Sequence, residues 1–96
     1  MHRRRIMMTK KEIYRKAIDK WGVGVQQLKL IEELSELTQQ MSWVISQDNA
    51  TQQDLDFLRE EIADCEIMLE QMKMLYGEEK VQIHKQYKIE RLKRRL

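Results

Sequence analysis

Two short acidic stretches contain the residues with the clearest potential for chemistry. The first holds Glu32, Glu33 and Glu36, and the second holds Glu61 and Asp64. Both lie within runs of apolar residues that repeat with helical spacing, although carboxylates are rarely buried and repel one another one helical turn apart. A divalent cation bound between the two stretches would offset that repulsion. The pattern therefore favours a metal site.

Helical geometry selects four of these acids as candidate ligands. At about 100° per residue, Glu61 falls inside the apolar stripe of its helix, and Glu33 and Asp64 lie roughly 20° beyond the edges of theirs. Glu36 lies one turn from Glu33, whereas Glu32 should face water. Two antiparallel helices would bring the four carboxylates together, and such oxygens suit Mg²⁺ or Mn²⁺.

The alternative interpretation is that these acids are exposed surface residues that bind no ligand. Acidic motifs of the form Glu-Glu-x-x-Glu are common on exposed helices, and by themselves they indicate no ligand. Glu61 is harder to dismiss, because an unpaired carboxylate inside an apolar stripe costs several kcal/mol. The metal hypothesis therefore depends most on Glu61.

The net charge of +2 hides a strong partition along the chain. Residues 1–20 hold eight Lys or Arg against two acids, residues 21–79 hold three against thirteen, and residues 80–96 hold seven against one. A uniformly basic chain would suggest nucleic acid. An acidic middle between basic ends instead favours a central metal and an anionic ligand held by the flanks, although charge runs are most often solvated helix faces.

Composition predicts one small helical domain spanning residues 1–96, with residues 1–8 forming an extended or disordered basic segment. Cys65 is the only cysteine, so no internal disulfide or cysteine-rich zinc site can form, as is typical of a cytoplasmic protein. No apolar stretch approaches the roughly 20 residues that a membrane span needs. A domain of this size buries a modest fraction of its surface, so we expect association with further copies.

The absence of proline and the scarcity of glycine predict an all-α fold with four helices. Thr9 should cap a first helix from about Lys10 to Lys20, ended by Gly22, with its apolar stripe formed by Ile13, Ala17 and Trp21. The remaining predicted helices run from Val25 to about Gln47, from Thr51 to Gly77, and from Glu78 to the C-terminal basic turns.

Several further side chains could contact an anionic or aromatic ligand. Lys85 and Lys88 lie among or beside apolar positions of the last helix, so they could bind phosphate or merely snorkel from a contact edge. Trp21 and Trp43 could stack on a nucleobase, although indoles more often serve as core or interface anchors. Methionines 68, 72 and 74 with Cys65 are expected to fill the core.

The two acidic stretches also match the signature of a known family. Glu32-Glu33-x-x-Glu36, followed after 24 residues by Glu61-x-x-Asp64, resembles the motif of the all-α nucleoside triphosphate pyrophosphohydrolases of the MazG-like group. Trp21-Gly22, Gln26-Gln27 and Ile62-Ala63 add to the resemblance, which covers roughly residues 13–76. Each half of the motif is weak, whereas the ordered pair is fairly specific.

This resemblance implies an antiparallel helical bundle, completed by oligomerisation into a dimer or tetramer. It implies Mg²⁺-dependent cleavage of a nucleoside triphosphate between its α and β phosphates, which releases a nucleoside monophosphate and pyrophosphate. The implied metal ligands are Glu33, Glu36, Glu61 and Asp64, with Glu32 in support. Family members carry a Lys-Asn pair and a following basic residue near the C-terminus, and this chain has Lys88-Ile89-Glu90-Arg91 there, with Ile in place of Asn.

A hypothesis from a different class is a helical interaction module without catalysis. In that interpretation the basic termini bind nucleic acid or an acidic partner, and the acidic middle is an oligomer surface. The two hypotheses differ in their response to Mg²⁺ and to salt, because metal binding stabilises a folded protein whereas phosphate-backbone binding weakens steeply with ionic strength.

Overall fold

Four α-helices account for nearly all of the chain that is described. The computed structural model describes residues 7–96, and within them the helices are α1 (Lys10–Trp21), α2 (Val23–Ser46), α3 (Gln52–Tyr76) and α4 (Glu78–Arg94), with no strand. The all-α prediction with four helices is confirmed. Of the predicted extended segment 1–8, residues 1–6 lie outside the described residues, and Met7 and Met8 are exposed.

Local capping chemistry sets the helix ends, as the sequence predicts. Thr9 accepts a hydrogen bond from the backbone N–H of Glu12, and Thr51 and Asp54 form a reciprocal capping box at the start of α3. Gly22 and Gly77 each join two helices directly, with φ of +93° and +109°. An L-residue rarely adopts those angles, so glycine permits both one-residue joints.

The start of α2 is the one helix end that differs noticeably from its predicted position. The helix begins at Val23, two residues before the predicted Val25. Gly24 was expected to precede the helix but lies in its first turn, where a glycine is tolerated. The change in chain direction occurs before it, at Gly22. The earlier start adds Val23 and Gly24 to the helix.

The long helices α2 and α3 form an antiparallel hairpin that organises the molecule. Gln40 near the C-terminal half of α2 donates to the backbone carbonyl of Asp54 at the start of α3, at 3.0 Å. At the opposite end, Gln27 of α2 donates to the Tyr76 hydroxyl of α3. Because the helices run in opposite directions, the middle of α2 faces the middle of α3, where the two acidic stretches lie.

The core forms where α1 packs across one end of this hairpin. Its buried apolar side chains are Tyr14, Ile18, Cys65, Met68 and Met72. The expected core roles of Cys65, Met68 and Met72 are confirmed. The predicted apolar stripe of α1 is wrong, since Ile13 and Trp21 are exposed and α1 instead buries the face that carries Tyr14 and Ile18.

Much apolar surface stays uncovered away from α1. Helix α4 has no buried residue, and α2 and α3 expose Ile31, Ile45 and Phe57 among others. The radius of gyration is 17.6 Å, compared with about 12 Å expected for a compact domain of this length. No helix within residues 7–96 is long and apolar enough to cross a membrane.

Candidate metal centre

Three of the predicted ligands meet in the middle of the hairpin. Glu33 of α2 and Glu61 and Asp64 of α3 each offer one carboxylate oxygen, and these oxygens lie within 4.8 Å of one another. Glu61 and Asp64 share a face because they are three residues apart on one helix, and the antiparallel pairing places Glu33 opposite them. The acidic cluster below means Glu33, Glu61 and Asp64 together with Glu36.

Glu36, the fourth predicted ligand, lies one helical turn after Glu33, but it is not among the three residues whose oxygens lie within 4.8 Å of one another. It is half-buried, and burial first, then the charges of Glu36, Glu33 and Asp64, raise the pKa of Glu61. Carboxylates held close together repel one another strongly, unless a cation lies between them. The cluster therefore brings negative charge together at a partly desolvated position.

The strongest feature of the cluster is a pair of carboxylate oxygens that have no partner. Glu33 is only 5% exposed, and its Oε1 accepts from Lys29 Nζ at 3.1 Å. Within the described residues, Glu33 Oε2 and Glu61 Oε2 are both buried and neither has a hydrogen-bond donor. A buried carboxylate oxygen without a donor costs free energy, and a bound cation would recover it.

Neighbouring side chains respond to the same negative potential. Burial and then the charges of Glu33, Glu61, Asp64 and Glu36 raise the pKa of the Cys65 thiol, so this cysteine stays protonated beside the cluster. The hydrogen bond to Glu33, followed by the charge of Glu32, raises the pKa of the Lys29 ammonium. Lys29 is thus a fixed positive charge at the edge of an acidic site.

The donor set fits a hard divalent cation. All the converging atoms are carboxylate oxygens, the ligands that Mg²⁺ and Mn²⁺ prefer, and His84, the only histidine within residues 7–96, does not belong to the cluster. Glu33, Glu61 and Asp64 could hold such an ion directly, with Glu36 adjacent. Glu32 lies outside the cluster on the exposed side of α2, as its position on the helix predicts.

A groove opens next to the cluster, between α1, the first half of α2 and the second half of α3. Its volume is about 510 Å³. Its walls are mainly apolar, and its polar members include Lys29, which also contacts Glu33, and Glu32. Trp21, predicted to stack on a base, lies on this groove, and its side chain is half exposed.

The other predicted ligand-binding residues lie elsewhere. The Trp43 indole N–H donates to Asp54 Oδ1 at 3.3 Å, beside the turn between α2 and α3, and Trp43 does not line the groove. Lys85 lines a separate groove between α3 and α4, and Lys88 lies on α4 beside Ile89. Arg91 is exposed on the same helix. Neither α4 groove includes a member of the acidic cluster.

Sequence reasoning assigned no role in ligand binding to three polar residues that line the groove, Lys29, Gln26 and Gln71. Gln26 and Gln71 are buried, and Gln26 Nε2 donates to Gln71 Oε1 at 2.7 Å. A signal was present for Gln71, because it lies three residues after Met68 on the helix face that forms the core. The spacing of Lys29 four residues before Glu33 also predicts an ion pair.

Comparisons with known proteins do not identify the chain. No protein-family model, curated protein or solved structure matches it.

Proposed function

We propose that this protein is a Mg²⁺-dependent nucleoside triphosphate pyrophosphohydrolase, with Mn²⁺ as a possible substitute. The observation that carries the proposal is the pair of buried, unpartnered oxygens of Glu33 and Glu61 in a cluster of converging carboxylates. The order and spacing of the two acidic stretches support it, because they resemble the motif of the MazG-like group. The adjoining groove supplies space for the rest of a nucleotide.

In this proposal the carboxylates of Glu33, Glu36, Glu61 and Asp64 hold the metal. A bound divalent cation neutralises phosphate charge and lowers the pKa of a coordinated water. The chain itself contributes the position and desolvation of these carboxylates, through the rigid pairing of α2 with α3. Lys29, at the boundary between cluster and groove, is placed to contact a phosphate oxygen of the substrate.

We also propose that the active protein is a homo-oligomer, a dimer or tetramer. The exposed apolar residues of α2, α3 and α4 and the large radius of gyration support association. Lys85, Lys88 and Arg91 lie on the largely uncovered helix α4. Their proposed role in binding phosphate requires either movement of α4 or contact across an oligomer interface.

The test is incubation with a panel of NTPs and dNTPs, with Mg²⁺ or with EDTA, followed by detection of pyrophosphate. We expect metal-dependent release from at least one nucleotide, and loss of that release in Glu61→Gln. The matched control is Glu60→Gln, which removes the same charge from the adjacent exposed position. Equal loss in both variants, or no turnover of any nucleotide, contradicts the proposal.

One outcome would favour the interaction module instead. The C-terminal turn of α4 carries Arg91, Lys93 and Arg94, all exposed. If the protein binds nucleic acid with an affinity that falls steeply with salt, and Mg²⁺ does not raise its melting temperature, the acidic cluster is not a metal site.

A further inference from the structure

The groove beside the acidic cluster has the size and lining of a small-molecule site. Its volume of about 510 Å³ lies within the range of ligand sites in proteins. Trp21, Val25, Leu28 and Met68 supply apolar surface from three helices, and Ala17 closes the side toward α1. An aromatic or aliphatic group would be desolvated by these walls.

Two buried amides give the groove a polar component. Gln26 and Gln71 both line it, although their exposed fractions are only 5% and 4%. Gln26 Nε2 donates to Gln71 Oε1 at 2.7 Å, and Gln71 Nε2 lies 3.9 Å from Met68 Sδ. Each amide has two N–H donors and a carbonyl with two lone pairs, so their mutual bond leaves hydrogen-bonding capacity in both.

The unused capacity lies on two residues that line the groove. Within residues 7–96, Gln26 Oε1 makes no hydrogen bond and is not among the fully enclosed polar atoms that lack a partner. Burying a carboxamide among apolar side chains is favourable only when its polar atoms are satisfied. A ligand with a planar polar edge would satisfy the free positions of the pair.

The rim of the groove favours an aromatic ligand, and the two charged side chains that line it, Lys29 and Glu32, have opposite signs. The Trp21 indole is 54% exposed, and Lys20 Nζ lies 5.3 Å from the centre of its ring, so one face can be covered while the other receives a ring. Lys29 lines the groove and bonds to Glu33, which links the groove to the acidic cluster. A ligand with its ring in the groove would direct its substituents toward that cluster.

We propose that this groove binds the nucleobase of the nucleotide substrate, and that the Gln26–Gln71 pair hydrogen-bonds the polar edge of the base. The inference rests on the proposed function, since a nucleobase is expected only if the cluster handles nucleotide phosphates. Trp21 stacks on the ring, and the amide pair hydrogen-bonds the base without selecting between amino and oxo groups. The two amides can rotate together and exchange donor for acceptor, so the native pair tolerates both amino and oxo groups on the base.

The test uses binding without catalysis. In a Trp43→Phe background Trp21 is the only indole of the chain, and its fluorescence reports on stacking in the groove. Nucleoside monophosphates, which have no phosphoanhydride bond to cleave, are titrated with Mg²⁺ in two pairs, AMP with IMP and CMP with UMP. The members of each pair exchange an amino for an oxo group at the same ring position and differ in whether the adjacent ring nitrogen carries a proton. We expect all four to quench the fluorescence of Trp21, with similar affinities within each pair.

Gln71→Glu should then change the preference, because a carboxylate only accepts hydrogen bonds whereas an amide can also donate. We expect about a tenfold shift in the affinity ratio toward AMP over IMP and CMP over UMP. The matched control is Gln27→Glu, which adds the same charge at the residue next to Gln26, where Gln27 bonds to Tyr76 and not to Gln71. If Gln71→Glu does not fold by circular dichroism, Gln71→Met serves instead and should weaken all four ligands by about tenfold.

The outcomes separate this inference from the proposed function. Absence of quenching by every nucleotide at millimolar concentration, or an equal change in the Gln27→Glu control, overturns the groove assignment even if the protein releases pyrophosphate. Quenching with the expected change in preference supports it even if no nucleotide is hydrolysed, in which case the proposed catalysis fails and the nucleotide site remains.

Discussion

Glu61 and Glu70 lie nine residues apart on α3, and both are partly buried, yet their surroundings differ in every respect. Glu70 accepts from the Tyr14 hydroxyl at 2.6 Å, and Lys10 Nζ lies 3.4 Å away. The Tyr14 hydrogen bond is the main cause that lowers the pKa of Glu70, and it raises the pKa of Tyr14 to about 12. Glu61 faces only acids, and its pKa is raised.

The difference shows what α1 does for the hairpin. Where α1 covers α3, it supplies both a hydroxyl and an ammonium, and the carboxylate of Glu70 becomes part of a satisfied structural contact. Where α1 does not reach, Glu61 keeps an oxygen without a donor. The Glu70 carboxylate is satisfied by contacts within the protein, whereas Glu61 is the carboxylate that we propose binds a metal.

The largest expected effect that separates the two carboxylates is stabilisation by metal. Mg²⁺ at about 100 times its dissociation constant should stabilise the native protein by about 2.7 kcal/mol. For a domain of this size that corresponds to a rise in melting temperature of roughly 10 °C or more. Glu61→Gln should remove most of the rise, whereas Glu70→Gln should preserve it. Differential scanning fluorimetry over a Mg²⁺ titration measures both, and an equal rise in the two variants would contradict the metal site.

The second expected effect is that, in the absence of metal, substitutions of the two carboxylates change the unfolding free energy in opposite directions. Glu61→Gln removes a repelled charge, so we expect the metal-free protein to gain about 1 kcal/mol of unfolding free energy. Glu70→Gln weakens the charge-assisted contacts with Tyr14 and Lys10, so we expect a loss of about 1–2 kcal/mol. Urea denaturation in metal-free buffer gives both values. Destabilisation by both substitutions would show that Glu61 has a donor in solution.

The sequence predicts the helical framework well because its signals are local. Thr9 and Thr51 cap helices through bonds to residues three positions away, and Gly22 and Gly77 end helices through their own backbone angles. The face that α1 buries was predicted incorrectly. That choice depends on Tyr14 meeting Glu70, which is 56 residues away in the chain.

The candidate site likewise combines features that the sequence predicts with features that it does not. Periodicity within α2 and α3 predicts that Glu33, Glu36, Glu61 and Asp64 converge, and the structure places oxygens of three of them, Glu33, Glu61 and Asp64, within 4.8 Å of one another. The buried amide pair could not be predicted, because Gln26 and Gln71 contact one another across two helices and their burial depends on how α1 packs. Longitudinal register and side-chain rotamers decide such contacts, and neither follows from the spacing of residue types.

A third prediction concerns pH, with opposite signs for the two carboxylates. Because the pKa of Glu61 in the folded protein is raised above its ordinary 4.5, its ionisation costs stability at neutral pH, and that cost disappears as pH falls through the raised pKa. Because the pKa of Glu70 in the folded protein is lowered from 4.5, the ionised carboxylate stabilises the fold above pH 4.5. That stabilisation is lost as the pH falls through the lowered pKa.

These two directions predict how each variant changes the pH profile of metal-free stability. Relative to the native protein, Glu61→Gln should be more stable at pH 7, and its advantage should shrink as the pH approaches 4.5. Glu70→Gln should be less stable at pH 7, and its deficit should shrink only below pH 4.5. Urea denaturation at intervals from pH 3.5 to 8 tests both, and parallel profiles for the two variants would contradict the difference in their surroundings.

The smallest expected effect concerns the lysines that accompany the two carboxylate sites. Lys29 bonds to Glu33 in the acidic cluster at 3.1 Å, and Lys10 lies 3.4 Å from Glu70 in the structural contact. Each lysine is largely exposed, so replacing either with Met should cost no more than about 0.5 kcal/mol of metal-free stability. Stability alone will therefore not distinguish the two pairs.

Metal affinity should distinguish them, because Lys29 competes with a cation for Glu33 Oε1 whereas Lys10 contacts no cluster residue. Removing a competitor worth about 0.5 kcal/mol should strengthen Mg²⁺ binding about twofold in Lys29→Met and leave it unchanged in Lys10→Met. Isothermal titration calorimetry without nucleotide measures both constants. If Lys29 also contacts phosphate, Lys29→Met should weaken nucleotide binding while it strengthens metal binding, a pair of opposite changes that loss of folding would not produce.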